Sequence, residues 1–296
     1  IVEVTAGGAM RTERTTDLTE EALTNAIRRA LQAQDQRICF VRGHGEGDLD
    51  QVDGPGFSIL RGRLREMNVE VVESFRLGED ALQVETDVVA LLSPKTALSS
   101  GEKDALRQHL DQGGAALILL DPGTDSGVEA VLAEYGVTVG DNFVVDLSGL
   151  GQLFGADVSV PVVINYGDHP ITEKIGQGVM SFFPVARSVE AGGDRARQPE
   201  VERLVVTDRN AWGEADLGPI AGEGGTVEFD PATDRRGPLA LGVAVTAEAD
   251  TSLGAEGKAR LVVFGDSDFA SNQYFGQQAN GQLLVGSVQW LAEGEE

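Results

Sequence analysis

The stretch ARLVVFGDSDFASN, residues 259–272, decides the fold class of this chain. Within it, residues 261–264 form an uninterrupted apolar run, which cannot alternate between core and solvent. The run therefore predicts a strand buried on both faces, as in the parallel sheet of an α/β protein. Asp266, Ser267 and Asp268 follow the run, so we expect them at the carboxyl edge of the sheet, where ligands of open α/β folds bind.

Further apolar runs and amphipathic segments alternate along the rest of the chain. We predict strands over residues 37–42, 69–72, 88–92, 115–120, 137–145 and 158–164, and helices over residues 99–110, 128–135 and 281–291. Strands that alternate with helices are typical of an α/β fold with a doubly wound, mostly parallel sheet.

The same pattern suggests four regions within the 296 residues. Residues 1–35 are a lead-in strand and helix, and residues 36–146 form the core α/β sheet. Residues 147–237 are dense in glycine, proline and charge, which indicates a loop-rich insertion or smaller subdomain. Residues 238–296 supply the final strands and a helix that complete the core sheet.

Charge and hydropathy exclude several classes of partner. Acidic residues outnumber basic ones by 48 to 23, a net charge of −25, and this field repels phosphate backbones and anionic lipid headgroups. We therefore expect no nucleic-acid binding. No apolar stretch has the length of a membrane span, so we expect no direct membrane insertion by this fragment. The chain begins with Ile1, which suggests a piece of a longer protein.

Four polar residues at the predicted carboxyl edge are candidates for ligand binding. His44 and Glu46 follow the first strand of the core sheet, and Asp266 and Asp268 follow the last. A histidine with three carboxylates suits a divalent cation or acid–base chemistry. Alternatively, the neighbouring glycines permit a tight turn in which His44 or Glu46 caps a helix or bonds the loop. The spacing matches no zinc or calcium motif, and we predict no metal and no cofactor.

Nucleophilic chemistry has little support in the sequence. Cys39, the single cysteine, lies in the middle of a predicted strand, where burial leaves it unactivated. Ser93 and Asp121 follow the third and fourth strands but lack the glycines of a nucleophile elbow. Ser267 is interpreted as a helix cap. No catalytic residue is therefore predicted, and we expect that the protein is not an enzyme.

Three further residues have local interpretations. His109 and His169 stand apart from other chemical groups in the sequence, and we expect solvated or core-edge positions. Trp212 lies in the loop-rich region, where a tryptophan can anchor a partner surface or cover the local core.

Six ordered blocks of sequence resemble a known family. They are FVRGHGEGD, LLSPKTALSSGEKDALRQHLDQGGAALILLDPG, YGDHPIT, TDRNAWGEADL, VEFDPATDRRGPLALGVAV and RLVVFGDSDFASNQYF. The combination resembles the GldG-like group, the auxiliary, substrate-binding-like component of bacterial ABC transport systems linked to gliding motility.

The resemblance implies a fold, a location and partners. The implied fold is flavodoxin-like or class I glutamine-amidotransferase-like, and it is similar to that of a subunit of ciliary intraflagellar transport. The implied location is extracytoplasmic (periplasmic), with anchorage to the inner membrane through segments absent from this chain. The implied partners are an ABC permease and ATPase or a sister membrane-anchored subunit, and a homo-oligomer stays open.

Two functions follow from these observations. The first is a non-enzymatic scaffold or ligand-sensing domain of an ABC-type transport complex. The alternative is a hydrolase or carbohydrate-binding module that uses His44, Glu46, Asp266 and Asp268 at the carboxyl edge of the sheet.

Overall fold

A computed structural model describes most of the chain. The described residues are 2–4, 10–12, 36–153, 155, 157–193, 197, 199–216, 228–255 and 257–292. Contacts divide the chain into two units, Ile1–Asp35 and Gln36–Glu296. In the first unit, β1 (Val2–Val4) pairs antiparallel with β2 (Met10–Thr12). The lead-in helix predicted after β2 lies outside the described residues.

The second unit contains the other strands and the helices that the described residues form. Its strands are β3 (Arg37–Val41), β4 (Glu70–Phe75), β5 (Asp87–Leu92), β6 (Ala115–Leu119), β7 (Val137–Val139), β8 (Phe143–Asp146), β9 (Val162–Val163), β10 (Asn165–Tyr166), β11 (Ser181–Phe182), β12 (Val189–Ala191), β13 (Glu200–Val206), β14 (Ala211–Glu214), β15 (Arg235–Arg236), β16 (Ala240–Glu248) and β17 (Lys258–Phe264). Its α-helices are α1 (Ser58–Glu66), α2 (Ser100–Asp111), α3 (Glu129–Glu134), α4 (Leu150–Leu153) and α5 (Asn280–Ala292). None of the helices in the described ranges has the length and apolar composition that a bilayer crossing requires.

The central sheet has eight strands in the order β10-β13-β16-β17-β6-β5-β3-β4. The five strands from β17 to β4 are mutually parallel, and β16, β13 and β10 extend the sheet in antiparallel fashion. Numbered by their appearance in the chain, the parallel strands run 2-1-3-4-5. The α/β class is confirmed, with a mixed, mostly parallel sheet.

Helices cover both faces of this sheet, as in a doubly wound fold. Leu60 of α1 and Leu284 of α5 belong to one buried apolar cluster, and Leu106 of α2 and Leu132 of α3 belong to the other. The residues of β5 are divided between these clusters, with Val88, Ala90 and Leu92 on one face and Val89 and Leu91 on the other. Because both faces are covered, the central strands carry apolar runs without alternation.

The region over residues 147–237 contributes to the central sheet as well as to smaller sheets. Its strands β10 and β13 pair with the central sheet. Its other strands form three small antiparallel sheets. β9 pairs with β11, β12 pairs with β7, and β14 lies between β15 and β8.

Two strands expected from apolar runs differ in the structure. Residues 137–145 form two strands, β7 and β8, because the polar turn around Gly140 sends them to different sheets. Of residues 158–164, only Val162–Val163 is a strand, since Pro161 has no N–H to donate to a ladder.

Candidate functional site

The carboxyl edge of the parallel strands carries two groups of polar side chains. The first, called the switch-point cluster, contains His44, Glu46, Ser99 and Glu102. The second, called the aspartate cluster, contains Ser93, Lys95, Asp121, Asp266, Ser267 and Asp268. Both clusters lie at this edge because β3, β5, β6 and β17 are parallel, so the loops that follow them all begin there.

The switch-point cluster lies where the strand order reverses, between β3 and β5. There the backbone N–H of Lys95 donates to the carbonyl of His44 at 2.7 Å, and Gly47 donates to Leu92 at 2.9 Å. A Cβ at position 47 would lie 2.4 Å from the Phe57 ring, so glycine permits this close approach. The loop after β3 is therefore tied across the end of β5, at the place where an open α/β sheet usually accepts a ligand.

The side chains of this cluster bond one another. The His44 ring lies 2.9 Å from Glu46 through Nδ1 and 3.2 Å from Glu102 through Nε2. Glu46 also accepts from the backbone of Gly43 and His44, while Glu102 and Ser99 form the capping box of α2. Burial favours a higher pKa for Glu102, but hydrogen bonds from Ser99 and the His44 ring lower its pKa overall. This arrangement agrees with the alternative of a structural turn.

Asp121 is the centre of the aspartate cluster. Its carboxylate accepts from the Lys95 ammonium at 2.8 Å and from the backbone N–H and the hydroxyl of Ser267 at 2.8 and 3.0 Å. The Ser93 hydroxyl donates to it as well. Burial would raise the pKa of Asp121, but the Lys95 charge and these hydrogen bonds outweigh burial and lower the pKa.

Asp266 has the opposite electrostatic environment. It is fully buried, and its Oδ1 accepts from the backbone N–H of Asp268 at 2.7 Å. Its Oδ2 has no hydrogen-bond partner within the described part of the chain. Burial, and then the charges of Asp121 and Asp268, raise the pKa of Asp266 well above its ordinary value. The pKa of Asp268 is also raised, by burial and Asp121, although Lys95 opposes that shift.

The four residues predicted as a ligand site therefore fall into the two clusters. Over the described ranges, no hydrogen bond or ion pair joins His44 or Glu46 to Asp266 or Asp268. The clusters are connected through Lys95, whose backbone bonds His44 and whose ammonium bonds Asp121. A shared ligand site stays a prediction. The described residues also contain no group of three or more histidine, cysteine or acidic side chains placed to hold a metal ion.

The sequence alone predicts neither the contact of Glu102 with His44 nor that of Lys95 with Asp121. Glu102 carries a usable signal, since its spacing from Ser99 is that of a capping box. The contact of Lys95 with Asp121, in the loop after β6, joins distant residues, so no short sequence pattern predicts it.

Ser93 has the backbone of a strained turn but lacks the surroundings of a nucleophile. Its φ of 56° is in the left-handed region, and its hydroxyl is engaged by Lys95 and Asp121. The following residue is Pro94, which has no N–H to stabilise an oxyanion. Cys39 is fully buried, and burial, with the Asp87 charge, raises the pKa of its thiol to about 11.

The structure contradicts the helix-cap interpretation of Ser267 and excludes the solvated alternative for His109 and His169. Ser267 does not cap the short helical turn that follows it, because its hydroxyl donates to Asp121 instead. His109 and His169 are both buried, so neither is solvated. Burial lowers the pKa of both rings, that of His169 to about 4.

Trp212 lies in a small apolar cluster. It is 6% exposed, packs with Phe143 and Val145, and meets the Phe229 ring edge-on with centroids 6.2 Å apart. Its indole N–H donates to Glu214 at 3.2 Å. This placement agrees with the alternative in which Trp212 covers the local core, and a partner contact through Trp212 stays a prediction.

A segment of the 147–237 region lies over the carboxyl ends of β6 and β17. The backbone N–H of Arg187 donates to the carbonyl of Gly265 at 2.7 Å. The guanidinium of Arg187 donates to the carbonyls of Gly140, Asp121 and Thr124 at 2.7, 3.3 and 3.2 Å. This buried arginine therefore fixes the segment over the edge next to the aspartate cluster.

Residues 35–287 match the family model described as "ABC-type uncharacterized transport system". The chain belongs to this family. The family is an auxiliary component of transport systems and not an enzyme family, which confirms the expectation that the protein is not an enzyme. No curated protein matches the chain.

One solved structure with a TM-score above 0.5 shows the fold alone, because its sequence identity is low. The "mmIFT52 N-terminal domain" is 18% identical, with a TM-score of 0.61, over 88% of this chain and 99% of that one. A "Putative thua-like protein" from Bacteroides uniformis is 14% identical, with a TM-score of 0.48, over 86% of this chain and 90% of that one.

Proposed function

We propose that this protein is a non-enzymatic scaffold or ligand-sensing domain of an ABC-type transport complex related to gliding motility. The family match over residues 35–287 carries the proposal. The resemblance of the six sequence blocks to the GldG-like group supports the finer assignment to gliding motility.

The geometry of the carboxyl edge gives no support to a catalytic role. His44 and Glu102 bond each other, and the hydroxyl of Ser93 is held between Lys95 and Asp121. Side chains engaged in this way stabilise the loops that carry them. Because Asp266 Oδ2 is buried without a partner in the described part of the chain, ligand sensing stays within the proposal.

The proposal includes a fold type, a location and partners. The 2-1-3-4-5 order of the parallel strands is that of flavodoxin-like sheets, which supports the flavodoxin-like or amidotransferase-like assignment. We propose an extracytoplasmic position, with anchorage to the inner membrane by segments absent from this chain. The partners are then the permease and ATPase subunits or a sister membrane-anchored subunit.

Affinity purification of the tagged full-length protein from detergent-solubilised membranes tests the partners. We expect ABC permease or ATPase subunits to co-purify, and an unrelated acidic domain on the same anchor to retain neither. Purification without any ABC subunit would contradict the proposal. Protease treatment of spheroplasts tests the location, since an extracytoplasmic domain is digested while the cytoplasmic membrane is still intact.

A further inference from the structure

A small cavity separates α5 from the segment that precedes β11. Its volume is about 220 Å³. Residues that line it include Ile171, Glu173, Lys174, Gln282, Gln289 and Trp290. None of them belongs to the switch-point cluster or the aspartate cluster, so this cavity is distinct from the carboxyl-edge site.

Helical spacing and one glycine create the cavity. Gln282, Gly286 and Gln289 are four and three residues apart, which places them on one face of α5. A Cβ at position 286 would lie 2.8 Å from the carbonyl oxygen of Ile171, so glycine allows the segment to approach the helix. The apolar side chains of Ile171 and Val285 line the cavity together with the two glutamines.

Trp290 is a fixed aromatic wall of the cavity. The guanidinium of Arg260 lies 5.3 Å from the centre of its ring and donates to its carbonyl at 2.9 Å. The His169 ring meets it at an angle of 67°, with centroids 4.9 Å apart. An aromatic side chain held from two directions loses little conformational entropy when a ligand binds.

The polar side chains that line the cavity are those of Gln282, Gln289, Glu173 and Lys174, and all four can bond hydroxyls. In the described ranges, neither Gln282 nor Gln289 makes a side-chain hydrogen bond within the protein, and both are exposed. Each amide offers two donors and an acceptor, and a hydroxyl can both donate and accept. The net charge of −25 disfavours an anionic ligand.

We propose that this cavity binds one neutral sugar ring. The apolar C–H face of the ring packs against Ile171, Val285 and the exposed part of Trp290 that Arg260 and His169 leave free. Its hydroxyls bond the amides of Gln282 and Gln289 beside Glu173 and Lys174. Drug-sized ligands occupy pockets of about 300–1,000 Å³, so the smaller volume restricts the occupant to a single ring.

Tryptophan fluorescence tests this proposal, because the chain has two tryptophans, Trp212 and Trp290. In a Trp212→Phe background, emission reports on Trp290 alone. D-Glucose, D-galactose, D-mannose and N-acetylglucosamine are titrated, with N-acetylphenylalanine amide as a mimic of a partner's side chain. We expect a saturable change with at least one sugar, and the same binding to the wild type by saturation-transfer NMR.

Glutamine variants locate the binding. We expect Gln289→Ala and Gln282→Ala each to weaken binding roughly five- to tenfold, the value of one hydrogen bond. The matched control Gln277→Ala, an exposed glutamine outside the cavity lining, leaves binding unchanged. Absence of sugar binding, binding unaffected by both cavity variants, or saturable binding of the phenylalanine mimic alone would each overturn the proposal.

Discussion

Asp266 shows how one position at the carboxyl edge combines burial with an incomplete set of partners. Asp121, on the neighbouring strand end, has a cation and hydroxyl donors. In the described residues, Asp266 instead meets the backbone N–H groups of Asp268 and Phe269, and its Oδ2 has no hydrogen-bond partner. The same residue type at the same edge therefore has a lowered pKa in one case and a raised pKa in the other. Neighbouring charges together with hydrogen-bond donors, not residue type, decide the direction of the pKa shift.

Replacement of Asp266 by asparagine is expected to change the pH dependence of stability. The raised pKa means that the folded state holds a proton which the unfolded state has already released, so stability falls as pH rises from the ordinary aspartate range through the raised pKa. Asp266→Asn removes this loss. At neutral pH the variant should therefore be more stable than the wild type, because the asparagine carries no proton that the folded protein must give up.

Urea unfolding of both proteins between about pH 4 and pH 8 checks this expectation. The control is Asp53→Asn, an exposed aspartate in the loop before α1, which should leave the pH profile nearly unchanged. Parallel profiles for the wild type and Asp266→Asn would contradict the prediction.

At the scale of elements, the crossing of the Arg187 segment over β17 depends on Gly265. A Cβ at position 265 would lie 2.0 Å from the carbonyl oxygen of Arg187, a backbone atom that cannot move aside as a side-chain end can. Gly265, which follows the apolar run of β17, is therefore needed so that the Arg187 segment can pack against it.

Gly265→Ala is expected to destabilise the protein by about 1–3 kcal/mol or more, because the added methyl displaces backbone in a packed region. The matched control is Gly276→Ala, where a Cβ meets nothing within 4 Å and the effect should be close to zero or slightly stabilising. Thermal unfolding measures both. Equal melting temperatures for the two variants would show that the crossing segment does not constrain this position.

The elements that the sequence predicts well are those with both faces buried. β5 and β17 were expected because an apolar run without alternation suits a covered parallel strand. The short strands β10 and β11 have two residues each, and pairing with distant segments decides them, so no local pattern predicts them.

In the candidate site too, local sequence patterns predict some features, and contacts between distant segments decide the others. The placement of His44 and Asp266 at strand ends comes from periodicity alone. Their actual partners, Glu102 and Asp268 with Asp121 nearby, depend on side-chain reach and loop path. A sequence without the structure can therefore give the edge at which a side chain lies but not the side chains that it meets.

The whole molecule carries a net charge of −25, which sets its response to salt. Several basic side chains pair locally, as Arg107 does with Glu134 and Arg203 with Glu190. The excess of acidic residues still leaves a net repulsion that compaction increases.

We expect the melting temperature to rise with potassium chloride, most steeply between about 0.01 M and about 0.1 M, where the Debye length falls from about 30 Å to about 10 Å. Differential scanning calorimetry at constant pH measures the rise. Sucrose serves as a non-ionic control, since it stabilises by exclusion without screening and gives no such steep early phase. A melting temperature that is constant or falls over this range would mean that charge repulsion contributes little to the free energy of unfolding.

Lys95 gives the carboxyl edge a mechanical property. One residue holds the loop after β3 through its main chain and the end of β6 through its ammonium. If a bound molecule displaced the loop after β3, we would expect Lys95 to move with that loop and its ammonium to shift relative to Asp121. Contact with the loop after β3 would then change the electrostatic surroundings of Asp121, because Lys95 is bonded to both.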